Sequence, residues 1–148
     1  MADHLRNQIR DRVATQLSGL TTTGTNIYQT PVVTPEDQTL PGLAIYITNE
    51  VTGETATMGH IDRECELHID GYVEASASIL DTLDLISKEV EVQMQSSSGS
   101  PVSALVEQYY LVSTDIEIRD VDTRPVGVVL MTYYLRYRTT PSAPDVKA

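Results

Sequence analysis

Phenylalanine and tryptophan are missing altogether from this 148-residue chain, and cysteine occurs once, at Cys65. A lone cysteine excludes an intramolecular disulfide and suits a reducing compartment. Eight tyrosines are then the only large aromatics. Each can bury its ring but must find a partner or water for its hydroxyl. Basic residues are scarce: 10 Lys and Arg stand against 21 Asp and Glu, for a net charge of −11. That balance argues against gripping nucleic acid by its phosphates and against settling on an anionic membrane. No apolar run approaches the roughly 18 residues that cross a bilayer. The opening Met1-Ala2-Asp3-His4-Leu5-Arg6 lacks the charged-then-apolar layout of a signal peptide, which predicts synthesis and assembly in the cytoplasm. No segment repeats at a fixed period.

What is present fits one α+β domain over residues 1–140, with 141–148 expected as a flexible tail because Pro141, Ala143 and Pro144 crowd it. Leu5, Ile9, Val13 and Leu17 recur every four residues and predict a helix, capped by Asp3 and stopped near Gly19. Asn26–Thr30 reads as a short strand, and Pro31, Pro35 and Pro41 mark a connection that cannot be regular helix. Leu43–Thr48 is a strand by composition, and Asn49–His60 a hairpin extension or loop. Glu64–Glu74 alternates strictly: Cys65, Leu67, Ile69, Gly71 and Val73 on one face, Glu64, Glu66, His68, Asp70, Tyr72 and Glu74 on the other. A second amphipathic helix runs from about Ser78 to Gln95, with Ile79, Leu83, Ile86, Val90 and Met94 as its stripe and a Ser78/Asp81 start signal. Ser96–Pro101 is a loop, with a helical turn expected at Val102–Val106. In the next strand, Tyr110, Val112, Thr114, Ile116 and Ile118 alternate against Leu111, Ser113, Asp115, Glu117 and Arg119. Val126–Arg138 closes the domain as a long strand. The expected architecture is a mostly antiparallel sheet of four to five strands with two helices packed on one face.

Catalytic signals are lacking. There is no HExxH, paired-Cys, P-loop, G-x-G-x-x-G or G-x-S-x-G pattern. His60 and His68 each lie two residues from an aspartate, but short His/Asp spacings are mostly solvated strand residues. The carboxylates Glu64, Glu66, Asp70 and Glu74 would need an apolar niche to act as an acid/base pair, and an exposed strand face offers none. Their alternative use is to hold a hard cation such as Mg2+ at a subunit boundary. Cys65 falls on the apolar face and reads as a structural thiol. Arg136 and Arg138 with Tyr133, Tyr134 and Tyr137 imitate a nucleic-acid platform, but pairing with acidic neighbours across strands suits them better.

The order of these pieces resembles a known family. Leu40-Pro41-Gly42-Leu43-Ala44-Ile45-Tyr46 leads into the first long strand. Then come the acidic strand Glu64-Cys65-Glu66-Leu67-His68-Ile69-Asp70-Gly71-Tyr72-Val73 and the Asp81-Thr82-Leu83-Asp84 helix. Ser113-Thr114-Asp115-Ile116-Glu117-Ile118 and the ending Pro125–Thr139 complete it. From about Leu5 to Thr140 this layout is similar to the tail terminator proteins of long-tailed phages, the lambda minor tail protein U family. The resemblance implies a structural virion protein without enzymatic activity or cofactor. It implies a homo-hexameric ring that caps the tail tube, ends its polymerisation and presents a surface to the head–tail connector or stopper. DNA would pass through the lumen without specific binding. The polar face (Glu64, Glu66, His68, Asp70, Tyr72, Glu74) becomes the candidate subunit interface or lumen. Glu50, Thr52, Glu54, Met58, Ser97 and Ser98 become candidate loop contacts to tube or connector. The chain departs from lambda's protein in a longer Pro-rich connection and an extended C-terminus. Two rivals remain: another ring-forming neck or tail-completion protein on the portal side, and a small ferredoxin-like enzyme or ligand-binding domain, which would need a pocket with converging polar groups.

Overall fold

The computed structural model describes residues 3–31, 33, 38–54, 59–96, 101–121 and 124–148. The four-residue stripe builds α1 (Leu5–Leu17), and Leu5, Ile9, Val13 and Leu17 are all buried. Its cap is His4, not Asp3: the ring Nδ1 accepts the Arg6 N–H at 3.1 Å. Gly19, at φ +95°, turns the chain out of the helix in a conformation that other residues resist. α2 (Ile79–Met94) buries Leu83, Ile86, Val90 and Met94. Ser78 precedes it but makes no side-chain capping bond, so the expected start signal is not used. A 3-10 turn follows at Val102–Ala104. Among the described residues, no helix is long and apolar enough to cross a membrane.

The strands are β1 (Ile27–Tyr28), β2 (Gly42–Glu54), β3 (Ile61–Glu74), β4 (Gln108–Val121), β5 (Arg124–Thr140) and β6 (Ala143–Lys147). They form one sheet in the order β1-β2-β3-β5-β4, with β6 also paired to β5. The pairing is antiparallel except between β1 and β2. The chain is α+β, as its pattern implies, with six strands in place of the expected four to five. Residues 49–54 continue β2 as a hairpin arm, and the C-terminal residues expected as a loose tail form β6. β6 gains Thr139↔Lys147 and Thr140↔Ala143 pairs, and the Ala148 N–H donates to the Arg138 carbonyl at 2.9 Å. Pro144 does not prevent this, because proline is tolerated on a strand with one free edge.

Both helices lie on one face of the sheet, α1 over β2 and α2 over β3 and β5. Cys65, Leu67, Ile69, Met131, Tyr133, Leu135 and Tyr137 meet them in the main core. The other face is not uniformly wet. Ala44, Tyr72, Val126 and Val128 form a second buried cluster, joined by Val33, Leu40, Tyr46 and Leu130. Val33 and Leu40, both from the Pro-rich connection, pack on this cluster.

Like Gly127, Gly71 is a glycine over which α2 sits close. A Cβ there would come within 2.7 Å of Ile86 Cγ2 and 2.9 Å of Val129 Cγ1. Both are β-branched methyls with little rotamer freedom. Gly71→Ala is therefore expected to destabilise by about 1–3 kcal/mol in chemical denaturation. A Gly71→Ala/Ile86→Ala double variant should lose clearly less than the sum of the two singles.

Candidate assembly surfaces

The polar row of β3 separates into two halves. Glu64 and Glu66 are exposed at one end, and Glu74 at the other. His68 is half-buried: its ring stacks on Tyr46, centroids 4.9 Å apart, with Nε2 3.2 Å from Thr48 Oγ1 and 3.6 Å from a Glu66 oxygen. Asp70 and Tyr72 are only 1% and 4% exposed, and so belong to the second core, not to a wet face. The reason is the cover of Val33 and Leu40 over this end of the sheet.

Asp70 thus occupies the apolar niche that the strand pattern alone does not offer. One carboxylate oxygen accepts the Tyr46 hydroxyl at 2.6 Å, while Oδ1 has no partner. Burial pushes its pKa above the usual 3.8, against the opposing pull of the Tyr46 hydroxyl, His68 and Arg119. Arg119 donates to the Tyr72 hydroxyl at 3.3 Å and pairs with Glu117 at 2.8 Å. The group is closed to solvent, so it offers no access for a substrate. Among the described residues, no three His, Cys, Asp or Glu side chains converge as a metal site.

Of the loop candidates, Met58, Ser97 and Ser98 lie outside the described residues, and Glu54 is described in its backbone alone as the last residue of β2. Thr52 is exposed on the hairpin arm. Glu50 is not a loop contact at all. Its side chain, 12% exposed, takes Arg6 at 2.9 Å and Arg63 at 3.0 Å and accepts the Tyr137 hydroxyl. It faces inward because β2 carries a bulge between Ile47 and Asn49. Before the bulge Leu43, Ile45 and Ile47 face the helices; after it Glu50 and Thr52 do, opposite Cys65 and Arg63. Burial pushes the Glu50 carboxyl up, but the Tyr137 hydroxyl and the two guanidiniums outweigh it and hold its pKa below 4.5.

The arginine–tyrosine set of β5 is likewise divided between faces. Tyr133 and Tyr137 are in the main core, while Tyr134 stacks on Tyr110 with centroids 4.9 Å apart. Arg138 pairs with Asp62 across the β3–β5 ladder at 2.7 Å, as cross-strand neighbours should. Cys65 is buried, and burial pushes its thiol up to about 12, which leaves it unreactive.

β4 carries several exposed apolar residues, and its alternation does not hold along the whole strand. A bulge between Leu111 and Ser113 resets the strand. Leu111 faces the helix side opposite Tyr133. Beyond the bulge Thr114, Ile116 and Ile118 share that side, opposite Met131, Val129 and Gly127. A helix about 10–12 Å wide covers roughly two strands spaced 4.7–4.9 Å apart. With α1 on β2 and α2 on β3 and β5, β4 overhangs the helix layer. Ile116, Ile118 and Val112 are 43%, 57% and 58% exposed. A smaller apolar groove, with Leu85 and Val92 exposed, runs between α2 and the turn after α1.

Comparison with known proteins gives one family: the model of phage minor tail protein U matches residues 4–137. Among solved structures, a chain from the virion of a native gene transfer agent particle is similar at 17% identity. The match spans 85% of this chain and 93% of that one, with a TM-score of 0.38. No curated protein sequence matches.

Two substitutions check the polar clusters. Because Asp70 has a raised pKa when folded, the native state holds its proton more tightly than the unfolded chain. Its contribution to stability therefore falls as pH rises from the ordinary carboxylate value through the raised one. Asp70→Asn should raise the melting temperature at neutral pH, and the gain should vanish in melts at acidic pH. Glu50 has the opposite sign: its contribution is complete above its unfolded pKa and is lost as pH falls through the lowered folded value. Glu50→Ala strands two guanidiniums and should cost about 3 kcal/mol in denaturant titration at neutral pH.

Proposed function

The chain belongs to the phage minor tail protein U family, and from its place as a structural protein of the virion tail we propose that it is the tail terminator. In this reading six copies close into a ring that caps the growing tube, halts addition of tube subunits and offers its outer rim to the head–tail connector. The family match over residues 4–137 carries the reading. Three physical features support it. The exposed apolar strand β4 asks for a cover that the described residues do not supply. Glu64 and Glu66 form an exposed acidic pair suited to a lumen, with Glu74 exposed at the far end of the strand. A net charge of −11 lets DNA phosphates pass without being held, where a basic wall would bind them and slow transit. No reaction is assigned to the chain: among the described residues the carboxylate set in an apolar niche, Asp70, is sealed from solvent.

Deleting the gene from the phage tests the reading by electron microscopy of lysates. Tubes of uncontrolled length and unjoined capsids are expected. Tails of normal length attached to heads would rule out the terminator role.

A further inference from the structure

We propose that β4 is one half of the joint between ring subunits, and that the edge formed by α1, β1 and β2 of the next copy is the other half. This inference rests on the ring reading above and adds the surfaces and polarity of the contact.

β4 has the marks of an edge built to be covered. Among the described residues its only strand partner is β5, so one side of its backbone presents free N–H and C=O groups. Edges meant to stay in water are blunted by charge, especially lysine, by proline, by bulges or by short length. β4 has one bulge, at Leu111/Ser113, and charges at Asp115, Glu117 and Arg119, but beyond the bulge its isoleucines stay bare. β4 is 14 residues long, contains neither lysine nor proline, and leaves Val112, Ile116 and Ile118 exposed. A lone chain with such an edge is an aggregation hazard.

A second copy fits as the occupant because the chain carries the matching half at the far end of its own sheet. β1 pairs with β2 only at Leu43 and Ala44. The outer side of β2 from Ile45 to Glu54 is therefore a second unpaired edge among the described residues, on the opposite flank from β4. The charges are complementary as well. On one flank α1 holds three arginines and one aspartate, and β2 adds two glutamates, one of which, Glu50, is paired with Arg6. On the other α2 holds four acidic residues and one lysine, and β4 adds Asp115 and Glu117 against Arg119. The β4 flank is therefore strongly acidic, whereas on the other flank Arg10 and Arg12 give α1 a locally basic face. Unlike flanks meeting head to tail make a heterologous contact, which repeats and closes into a ring when the rotation allows. Charge steers the approach, and the apolar strand supplies the buried area.

Native mass spectrometry and analytical ultracentrifugation of the full chain, with and without Mg2+, test this. Two monomer-making variants are compared with the wild type: Ile116→Lys/Ile118→Lys on β4, and Arg10→Glu/Arg12→Glu on α1. Each is expected to lose the ring while its circular dichroism spectrum stays that of the wild type. Mixed together, they should form a one-to-one heterodimer and no ring, since each contributes one intact flank. If the lysines unfold the sheet, Ile116→Thr/Ile118→Thr keeps strand propensity and is read the same way. Rings that survive both variants would overturn the proposed joint while leaving the ring reading intact. Loss of the ring with the β4 variant alone would overturn the head-to-tail polarity. A wild-type chain that stays monomeric at every concentration and with Mg2+ would sink both readings.

Discussion

Fourteen consecutive residue pairs join β3 to β5 without a break in register, from Ile61↔Thr139 to Glu74↔Val126. Strict parity along that ladder decides which side chains meet the helices and which do not, since a slip of one residue would invert every face. On the helix side it aligns Cys65, Leu67 and Ile69 with Leu135, Tyr133 and Met131. The long strands flanking that ladder, β2 and β4, each carry one bulge, and each bulge inverts parity beyond it. In β2 the inversion brings Glu50 inward, beside Arg6 and Arg63. In β4 it moves the isoleucines to the helix side, where no helix reaches them, and leaves Asp115 and Glu117 on the other. The ion network and the exposed apolar edge are both consequences of two single-residue insertions in otherwise regular strands.

A core without Phe or Trp depends on tyrosine, and tyrosine brings a hydroxyl that must be satisfied. Tyr137 donates to Glu50, Tyr46 to Asp70, Tyr109 to the Met94 carbonyl and Tyr28 to the Thr39 carbonyl. Two of these four partners are carboxylates, which explains how an acidic chain keeps Glu50 and Asp70 away from water. The two acids fare differently. Glu50 has two guanidiniums and is stabilised as an anion, whereas Asp70 has one hydroxyl partner and an unpartnered oxygen. Buried polar groups cost free energy unless their bonds are complete. Asp70 is therefore a standing local strain on the second core, and Glu50 a clamp on the hairpin arm.

The width of the sheet relative to its helix layer links fold to assembly. Two helices on a five-strand path cover Tyr109 and Leu111 but leave the far half of β4 bare, and that half carries Ile116 and Ile118. A ring of identical copies resolves that mismatch by placing a neighbour where a third helix would otherwise pack. The reading of a terminator ring and the proposed polarity of its joint both start from that geometric shortfall.

Periodicity alone determined much of the chain. The stripe of α1, the stripe of α2, the alternation of β3 and the 3-10 turn after α2 each depend on spacing between neighbours in sequence, and local backbone geometry fixes such spacing. The order of the elements was enough to place the chain beside its family. Tertiary structure decided the rest, because it turns on residues distant in sequence. Asp70 and Tyr72 follow the same alternation as Glu64 and Glu66, yet Val33 and Leu40, some thirty residues earlier, seal them off. Glu50 looked like a loop residue until a bulge and two arginines claimed it. His4 displaced Asp3 as the cap, and β6 appeared where proline suggested a tail, because β5 was long enough to receive it. A bulge has no clear mark in a β-prone run, and the coverage of a sheet depends on where helices come to rest. For those reasons the exposed edge of β4 could be seen only once the chain was folded.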